Sequence, residues 1–428
     1  MKTRERVTVD EPLAGLTVTL ISQWYPPEPV TMPVQLCDAL RAAGADVNVL
    51  TGVPNYPDGR ILAGYHPWTM RRETTAGYPT FRVPLYPYHG ASAVRRFANY
   101  SSFALSAAAF AQKTIRASDI SVVYSSPATS ALPAMVSHSL SGKPFVLVVQ
   151  DLWPDTVLES NLFPSPRLLP VVRKGLEAFD KLSTRHAAGI LVSSPGMQTA
   201  LERRGVRADK IQIMYNWVSG SASETLESDG ALRTRLGLDD HTLLFLYGGN
   251  IGEAQGLESW LTAIASLRSH ESAHFAFVGS GIDRVRLENA ARQLGLSNVS
   301  FLDPVTKDVF ARYAADADAM IVSLRNSPVF EVTLPSKIQS CLSRGRAIVA
   351  SVSGDAAKTL QTSGAALIAP PGNSDAIAGV ILAAMAMGRY SLERMGDCGR
   401  VYYLHHMSQE SGAEILCRAV LSALTPSE

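Results

Sequence analysis

Short apolar runs alternate with longer amphipathic stretches along this chain. Apolar runs rich in β-branched residues are typical of parallel strands, which are buried on both faces. One series of strands is predicted at residues 16–21, 46–50, 121–124, 145–149 and 189–192. A second series is predicted at residues 243–247, 274–278, 299–302, 320–322 and 347–350. The stretches between them predict helices, among them 32–43, 128–141, 257–268 and 283–294, and a last helical region covers 408–424.

The two series of strands predict two α/β domains, each with a doubly wound parallel sheet. Alternating strands and helices imply right-handed crossovers, and the length of 428 residues suits two domains of roughly 200 residues each. A Ser-, Glu- and Gly-rich stretch separates the series and is typical of a linker. We therefore predict domains at 1–218 and 231–400, a linker at 219–230 and a C-terminal helix at 401–428. Ligands are expected at the carboxyl ends of the strands, facing a cleft.

Composition narrows the class of protein. The hydrophobic fraction of 46%, the charged fraction of 18% and the formal net charge of +1 fit a globular chain and give no global field that attracts nucleic acid. The four cysteines show no C-x-x-C spacing, so the sequence predicts neither a disulfide framework nor a zinc site. The first 15 residues lack the apolar core of a secretory signal. The most apolar helical candidate, 103–111, is shorter than the ~20 residues of a membrane span. A cytoplasmic location is expected, with peripheral attachment to a membrane left open.

Two loops of the first predicted domain follow strands at the ligand-binding end of the sheet. The turn at 23–29 contains three prolines, together with Glu28, and the loop at 51–59 contains Asn55 and Tyr56. Pro27 belongs to the first of these loops. Such loops often face a substrate. A rigid connector and an ordinary surface loop are equally consistent with these residues.

A third segment, 150–155, follows the strand at 145–149. Asp151 could accept a hydrogen bond from a hydroxylated substrate or act as a base. Alternatively, Asp151 caps the next segment and Trp153 packs in the core. The sequence favours this structural alternative slightly.

The second predicted domain carries a glycine-containing loop at 247–253 and a helix start near residue 336. The loop, with Gly249 and Asn250, is neither a Walker A motif nor G-x-G-x-x-G, and Gln255 is expected to begin the next helix. Pro335 or Ser336 starts the helix at 337–343, which places Lys337 in its first turn. A cation there is electrostatically out of place unless a ligand supplies negative charge. We therefore predict a diphosphate site at Lys337.

No metal site is predicted. The D-x-D sequence at Asp316 and Asp318 lies before the strand at 320–322, at the end away from the cleft, where capping or solvated charge is the better interpretation. His405 and His406 are adjacent, so on a helix they point in different directions.

Several sequence strings together resemble a known family. They are Y-P-P-E at 25–28, V-L-T-G-V-P-N-Y-P-D-G at 49–59, Q-D-L-W-P at 150–154, G-N-I-G at 249–252, Q-G-L-E at 255–258 and L-P-S-K at 334–337. In this order they resemble retaining glycosyltransferase family 4 over nearly the whole chain. The bacterial branch that includes L-fucosamine transferases of surface-polysaccharide assembly is the most similar.

The resemblance implies the GT-B fold, which has two Rossmann-like domains. It implies that the C-terminal domain binds the nucleotide-sugar donor, that the N-terminal domain binds the acceptor, and that the C-terminal helix crosses back to the N-terminal domain. It also implies that neither a metal nor another cofactor is needed. The expected donor-binding residues are Gly249, Asn250, Gln255, Leu334, Pro335, Ser336, Lys337 and Gln339. The expected acceptor-side residues are Pro27, Glu28, Asn55, Tyr56 and Trp153, and the expected catalytic residues are Asp151 and Glu331.

The chain departs from the family at three places. The family's Arg and Lys, five residues apart and bound to the donor diphosphate, align with Asn250 and Gln255, so Lys337 is expected to supply the missing charge. The glycine pair after the first strand is replaced by residues 29–31, Pro-Val-Thr.

The third departure concerns two glutamates of the family that are eight positions apart. Glu331 and Gln339 keep the spacing, whereas alignment of the following helix puts Ser340 at the second glutamate. In the family this glutamate contacts the donor ribose, and Ser340 stands at its position here.

The sequence thus predicts transfer of a sugar, with retention, from a nucleotide-sugar (UDP-linked among the options) to a glycan or polyprenyl-linked acceptor in surface-polysaccharide synthesis. Front-face displacement needs no side-chain base, which leaves Asp151 as a positioning residue. Two alternatives are an inactive nucleotide-sugar-binding protein and an enzyme for a small-molecule acceptor.

Basic and aromatic residues also alternate between 68 and 113, which predicts contact with an anionic membrane surface. The residues are Trp68, Arg71, Arg72, Arg95, Arg96, Phe97, Tyr100, Phe103 and Lys113. The alternative is that the apolar residues are buried and the arginines merely solvated.

Overall fold

The structure is a computed structural model, and it describes residues 11–90, 92–153, 169–218, 226–268, 270 and 272–425. The chain divides into two compact units, Met1–Met214 with Gly412–Glu428, and Tyr215–Ser411. The first unit is therefore completed by the C-terminal end of the chain. This division falls near residues 214 and 411, whereas the sequence predicted domain ends at 218 and 400.

The first unit is built on an eight-stranded sheet in the order β3-β4-β2-β1-β5-β6-β7-β8. All neighbours are parallel except β3 and β4, which are antiparallel. The strands are β1 (Thr17–Ile21), β2 (Asp46–Gly52), β3 (Arg71–Thr75), β4 (Tyr78–Val83), β5 (Ile120–Ser125), β6 (Phe145–Val149), β7 (Gly189–Val192) and β8 (Ile211–Ile213). All five residues of β6 are buried, as expected for a central strand with both faces covered.

Helices cover this sheet. In chain order they are α1 (Met32–Ala42), α2 (Ala93–Phe110), α3 (Gln112–Ala117), α4 (Leu132–Ser141), α5 (Leu169–His186) and α6 (Pro195–Arg203). Helix α4 ends at Gly142, whose φ of +69° is the left-handed conformation that glycine adopts without strain. The predicted helix at 128–141 begins as a 3₁₀ turn, Ala128–Ala131.

The second unit has a six-stranded parallel sheet in the order β11-β10-β9-β12-β13-β14. Its strands are β9 (Leu243–Gly248), β10 (Ala273–Val278), β11 (Val299–Leu302), β12 (Ala319–Ser323), β13 (Ala347–Ser351) and β14 (Ala366–Ala369). Its helices are α7 (Ala231–Leu236), α8 (Glu258–Ser266), α9 (Arg284–Gln293), α10 (Lys307–Asp316), α11 (Pro328–Glu331), α12 (Ser336–Ser343), α13 (Gly354–Ser363) and α14 (Ser374–His406). The last helix of the chain is α15 (Gln409–Leu424).

Every strand predicted from the sequence is present, and the prediction of an α/β fold with two parallel sheets is confirmed. The strands that the sequence did not predict are β3, β4, β8 and β14. Strand β3 is charged and lies at a sheet edge, where the apolar signal of a buried strand is absent. The prediction that Gln255 begins a helix was wrong, because Gln255 ends a 3₁₀ turn that stops at Gly256, with a φ of +59°.

One helical stretch among the described residues, Ser374–Leu424, is long and apolar enough to cross a membrane by length and composition alone. Core helices satisfy the same criterion, and Ile377, Ile381 and Ala384 of α14 pack in the core of the second unit. Gly388, with non-helical backbone angles, interrupts the stretch. The sequence analysis weighed only 103–111 as a membrane span and did not consider this longer stretch.

Candidate functional site

Glycines shape the carboxyl edge of the second sheet, where β9 and β10 end side by side. The Gly249 N–H donates to Val278 O at 2.9 Å. A Cβ atom at Gly279 would lie 1.9 Å from Gly249 O, and one at Gly281 would lie 2.1 Å from Ile251 O. Only glycine fits where two backbones approach this closely. At these glycines the edge therefore presents backbone rather than side chains.

Lys337, in the first turn of α12, packs against the glycine-containing loop at 247–253, which we call the glycine loop. Its Nζ is 3.9 Å from the centroid of the Tyr247 ring and donates a hydrogen bond to the Tyr247 hydroxyl oxygen. The Tyr247 hydroxyl in turn donates to the Asn250 carbonyl. The Lys337 Cε is 2.9 Å from the position that a Cβ of Gly249 would occupy. The structure thus brings together the two second-unit segments that the sequence singled out.

The positive charge of Lys337 has no carboxylate beside it in the described part of the chain. Burial lowers the pKa of Lys337 to about 8, because removal from water disfavours the charged form. Helix α12 begins at Ser336 without a side-chain cap and without an acidic residue in its first turn. A desolvated cation beside an uncapped helix N-terminus is complementary to an anionic ligand.

A pH dependence follows from this pKa. Binding of UDP, used as an anionic probe, is expected to weaken as the pH rises from 7 to 9.5, because free Lys337 loses its proton near pH 8. Calorimetric titrations across this range measure the effect. Lys337→Arg should bind with little pH dependence, since arginine stays protonated. A constant affinity of the wild-type protein would contradict the assignment of Lys337.

The other predicted donor residues differ in their surroundings. Asn250 is exposed at the edge. The Gln255 side-chain oxygen accepts from Gly252 N at 3.1 Å, and the Gln255 carbonyl accepts from Ser323 Oγ at 2.6 Å. Gln339 is only 2% exposed, so its side chain is enclosed in the protein rather than presented to a donor.

Around α12, Leu334 packs against the hydrophobic core, and Pro335 and Ser336 form the start of the helix. Glu331 is exposed at the end of α11. Its Oε1 accepts a hydrogen bond from Ser353 Oγ at 2.6 Å. Glu331 is therefore tethered to the loop after β13.

Two features of this edge were missed from the sequence. One is the Gly-Ser-Gly segment at 279–281, which follows β10 as the glycine loop follows β9. The other is Arg325, exposed after β12, whose backbone N–H donates to Ala254 O at 2.9 Å. Inspection of the residues after every predicted strand would have found both.

In the first unit, Glu28 joins two loops at the carboxyl edge of the sheet. Its Oε1 accepts from the backbone N–H groups of Asn55 and Tyr56, each at 2.8 Å. Its Oε2 accepts from Tyr25 N at 2.9 Å. Burial raises the pKa of Glu28 to about 7, and the three N–H donors act in the opposite direction. At 3% exposure, Glu28 holds these two loops in place, and its contact with an acceptor stays a prediction.

A buried amide network extends this contact. Gln23 Nε2 donates to Asn99 Oδ1 at 2.6 Å, and Asn99 Nδ2 donates to Asn55 Oδ1 at 3.2 Å and to Tyr86 O at 2.6 Å. Arg82, fully buried, donates to Gly52 O at 3.1 Å and pairs with Glu73 at 2.5 Å. Asn99 on α2 and Arg82 on β4 thus support these loops. The sequence did not reveal either role.

Aromatic rings cluster beside these loops, and all of them except that of Trp153 are half-buried. The Trp24 and Tyr56 ring centroids are 5.1 Å apart, and those of Tyr56 and His89 are 4.8 Å apart. Tyr100 lies 6.2 Å from Trp24 and 6.0 Å from Trp153. We call Trp24, Tyr56, His89, Tyr100 and Trp153 the aromatic cluster. Trp153, 5% exposed, packs against Ala128 and Leu176, so its assignment to the core is confirmed.

Asp151 lies next to the aromatic cluster at the end of β6. Its Oδ2 accepts a hydrogen bond from Ser126 Oγ at 3.0 Å. Burial raises the pKa of Asp151, and the bond from Ser126 partly opposes this. Burial raises the pKa of Tyr100, the Arg96 charge opposes this, and the Asp151 charge adds to it. Pro27, which precedes Glu28 in the first loop, is exposed. Residues 154 and 155 lie outside the described residues.

Comparison with known proteins identifies the family. Residues 29–217 match the glycosyl transferase 4-like domain, and residues 242–389 match glycosyl transferases group 1. WcaI of Escherichia coli K12, named as a colanic acid biosynthesis glycosyl transferase, is 32% identical over 73% of this chain and 76% of its own length. The chain belongs to the glycosyl transferase 4-like, group 1 glycosyltransferases. It is therefore a transferase enzyme.

Solved structures agree on the GT-B fold of this glycosyltransferase. HepE of Anabaena, in complex with UDP, has a TM-score of 0.67 at 14% identity, with 95% of this chain and 99% of HepE covered. WaaG, a glycosyltransferase involved in lipopolysaccharide biosynthesis, has a TM-score of 0.61 at 14% identity, with 94% and 99% covered. These likenesses concern the fold alone.

The D-x-D sequence of this glycosyltransferase is structural. Asp316 accepts from Leu232 N at 2.7 Å and from Gly230 N at 3.0 Å, and so caps α7. Asp318 accepts from Arg389 at 2.6 Å and also pairs with Arg233. Capping is confirmed for Asp316, whereas solvated charge is wrong for Asp318, whose side chain is 5% exposed. Within the described residues, no group of three His, Cys, Asp or Glu side chains could hold a metal ion.

Proposed function

We propose that this glycosyltransferase moves a sugar, with retention of its anomeric configuration, from a nucleotide-sugar to a glycan or lipid-linked acceptor. We place it in surface-polysaccharide biosynthesis, in the branch that includes the L-fucosamine transferases. The name of WcaI supports the pathway, and the structures of HepE with UDP and with UDP-glucose support a UDP-linked donor. The observation that carries the proposal is the cation of Lys337 on the glycine loop, without a carboxylate partner among the described residues.

In this proposal the donor diphosphate binds at the carboxyl edge of the second sheet. Lys337 and the N-terminus of α12 face the diphosphate, and the glycine loop lets the backbone approach it closely. The bond between the sugar C1 and the diphosphate oxygen breaks, which increases the negative charge on the diphosphate. Fixed positive groups that stabilise this developing charge lower the barrier. Lys337 is the residue whose charge performs this role.

The acceptor is proposed to bind at the edge of the first sheet. Rings of the aromatic cluster provide faces on which a sugar can pack, and Asp151 can accept a hydrogen bond from a sugar hydroxyl. The acceptor oxygen forms its bond to C1 on the face that the diphosphate leaves. The hydroxyl proton passes to the departing phosphate oxygen, so Asp151 positions the acceptor and need not act as a base.

Metal independence is expected of this reaction. Lys337 and the helix N-terminus supply the positive charge that a divalent cation supplies in other transferases, and Asp316 and Asp318 are engaged in structural contacts. Transfer should therefore persist in excess EDTA at the rate measured without it. A loss of activity that Mg²⁺ or Mn²⁺ restores would show that a metal takes part.

Native mass spectrometry tests the donor assignment. Purified protein is screened against UDP-, GDP- and dTDP-sugars, and donors that bind are then assayed for release of nucleoside diphosphate in the presence of polyprenyl-linked sugar acceptors. The proposal expects one class of donor to bind and to release its nucleotide. Binding without release in the presence of any acceptor would favour an inactive binding protein. Release with free sugars or sugar phosphates alone would favour a small-molecule acceptor.

A further inference from the structure

Helix α2 of the first unit presents an apolar face to solvent. Val94 is 61% exposed, Leu105 is 63% exposed and Phe97 is 39% exposed. The outward positions recur every three or four residues, which places them on one side of the helix. This face, which we call the α2 outer face, consists of Val94, Phe97, Ala98, Ser101, Leu105 and Ala109. A surface helix normally exposes polar residues to water, whereas this face exposes mainly apolar ones.

The opposite side of the same helix belongs to the candidate acceptor site. Asn99 is buried and holds Gln23 and Asn55, and Tyr100 belongs to the aromatic cluster. An α-helix with its side chains is about 10–12 Å across. Whatever covers the α2 outer face therefore lies within roughly one helix diameter of the aromatic cluster.

The charge around this face has one sign. Residues 93–117, which form α2 and α3, contain four basic residues and no Asp or Glu. The four are Arg95, Arg96, Lys113 and Arg116. A second copy of the chain would bring like charges together at this surface, whereas a surface of opposite charge would be attracted.

Strand β3 and the loop before it extend this basic surface. Arg72 Nη2 donates to Thr114 Oγ1 at 3.2 Å, which places β3 beside α3. The preceding loop exposes Trp68 by 64% and Met70 by 51%. Arg71 pairs with Glu73 at 2.9 Å. Because Glu73 also pairs with the buried Arg82, these three side chains together keep one positive charge. Exposed Trp and aliphatic side chains beside basic residues are typical of proteins that insert into the interface of a bilayer.

We propose that the α2 outer face, with the adjoining basic residues and Trp68, docks on an anionic lipid bilayer. The apolar side chains enter the interface, and Arg95, Lys113 and Arg116 contact lipid phosphates. Docking by α2 would hold the aromatic cluster at the bilayer surface, where the glycan of a lipid-linked acceptor is located. That consequence rests on the proposed function, whereas the docking itself does not.

The structure also corrects the sequence-based choice of membrane residues. Phe103 is fully buried, and Tyr100 faces the aromatic cluster. Neither can contact a membrane. Val94, Leu105 and Arg116 were not considered, because the sequence did not show which side of the helix faces the core.

Vesicle co-sedimentation of the full chain tests the proposal. Wild-type protein should bind vesicles of phosphatidylcholine that contain about 30 mol% of the anionic lipid phosphatidylglycerol. It should bind vesicles of pure phosphatidylcholine weakly. Added salt should reduce binding to the anionic vesicles. Because the readout is lipid binding, it is independent of transfer activity.

Two pairs of substitutions separate the contributions. Arg95→Glu with Lys113→Glu should lower the vesicle partition coefficient at least about tenfold, since each basic residue contributes about 1 kcal/mol at the surface. Val94→Ser with Leu105→Ser should lower it about tenfold as well. Matched controls are Lys174→Glu with Lys181→Glu for charge, and Val401→Ser with Leu404→Ser for exposed apolar residues. The controls should bind as the wild type does.

Three results would overturn the proposal. One is equal binding to neutral and anionic vesicles, or binding to neither. Another is the same loss in the control pairs as in the test pairs. The third is a wild-type dimer in sedimentation that Val94→Ser with Leu105→Ser dissociates while vesicle binding stays unchanged, which would assign the face to a second copy. Circular dichroism and thermal unfolding of each variant verify that the fold is intact.

Discussion

Replacing Lys337 with methionine is expected to weaken binding of UDP, or of the nucleotide-sugar found by screening, by about 1.5–3 kcal/mol, roughly 10- to 150-fold. The substitution removes the cation that lies on the glycine loop beside Tyr247, and the ligand's diphosphate then loses a charge-assisted hydrogen bond. Methionine preserves most of the side-chain volume. Isothermal titration calorimetry at pH 7 measures the change.

The same substitution should not lower the stability of the free protein. Burial lowers the pKa of Lys337 in the folded state to about 8, from 10.5. Between these two pH values the unfolded chain binds more protons than the folded one, so the free energy of unfolding rises with pH. Below this window the lysine is charged in both states, and its burial lowers the free energy of unfolding. Lys337→Met should therefore keep or raise the melting temperature at pH 7. Lys358→Met, an exposed position on α13, is the control for both measurements. Unchanged affinity for the ligand would remove Lys337 from the donor site, and a loss of affinity with a large fall in melting temperature would assign it a structural role.

Replacing Glu28 with alanine is expected to lower the free energy of unfolding by about 3 kcal/mol or more. Three backbone N–H groups, those of Tyr25, Asn55 and Tyr56, would lose their acceptor, and each buried donor left without a partner costs about 1–3 kcal/mol. Urea denaturation followed by tryptophan fluorescence measures the change. Water that enters the space left by the side chain and accepts from these N–H groups would keep the loss in the free energy of unfolding near about 3 kcal/mol.

Two further variants make this result specific. Glu28→Gln keeps an oxygen acceptor and should lose less than Glu28→Ala. Asp58→Ala, at an exposed position in the same loop, should change the free energy of unfolding by less than about 0.5 kcal/mol. If Glu28→Ala were as stable as Asp58→Ala, the carboxylate would not be holding the two loops together, and a direct contact with the acceptor would again be the better explanation.

The sequence predicted those features that depend on the local order of residues. The buried runs that became β6 and β9 predicted two parallel sheets, because short, uninterrupted apolar runs fit strands covered on both faces. Lys337 stood out because a cation in the first turn of a helix opposes the helix dipole. In both cases the signal lies within a few neighbouring residues.

The acceptor side could not be predicted in the same way, because its contacts join distant parts of the chain. Glu28 bonds to Asn55 and Tyr56 across the sheet edge, and Asn99 and Tyr100 come from a helix whose core-facing side the sequence did not reveal. His89 lies in a loop without periodicity. The charged strand β3 was missed because it lies at an edge, and Asp318 was misjudged because its partners Arg233 and Arg389 are 85 and 71 residues away.

Nuclear magnetic resonance of a transfer reaction tests the central claim most directly. The donor identified by screening is labelled with ¹³C at the sugar C1 and incubated with the protein and a polyprenyl-linked sugar acceptor. The account predicts that the C1 signal loses its coupling to ³¹P, gains a correlation to the acceptor carbon, and keeps the anomeric configuration of the donor. A C1 signal that stays coupled to ³¹P while the protein is saturated with donor and acceptor would contradict transfer by this chain, and a product with the opposite configuration would contradict retention.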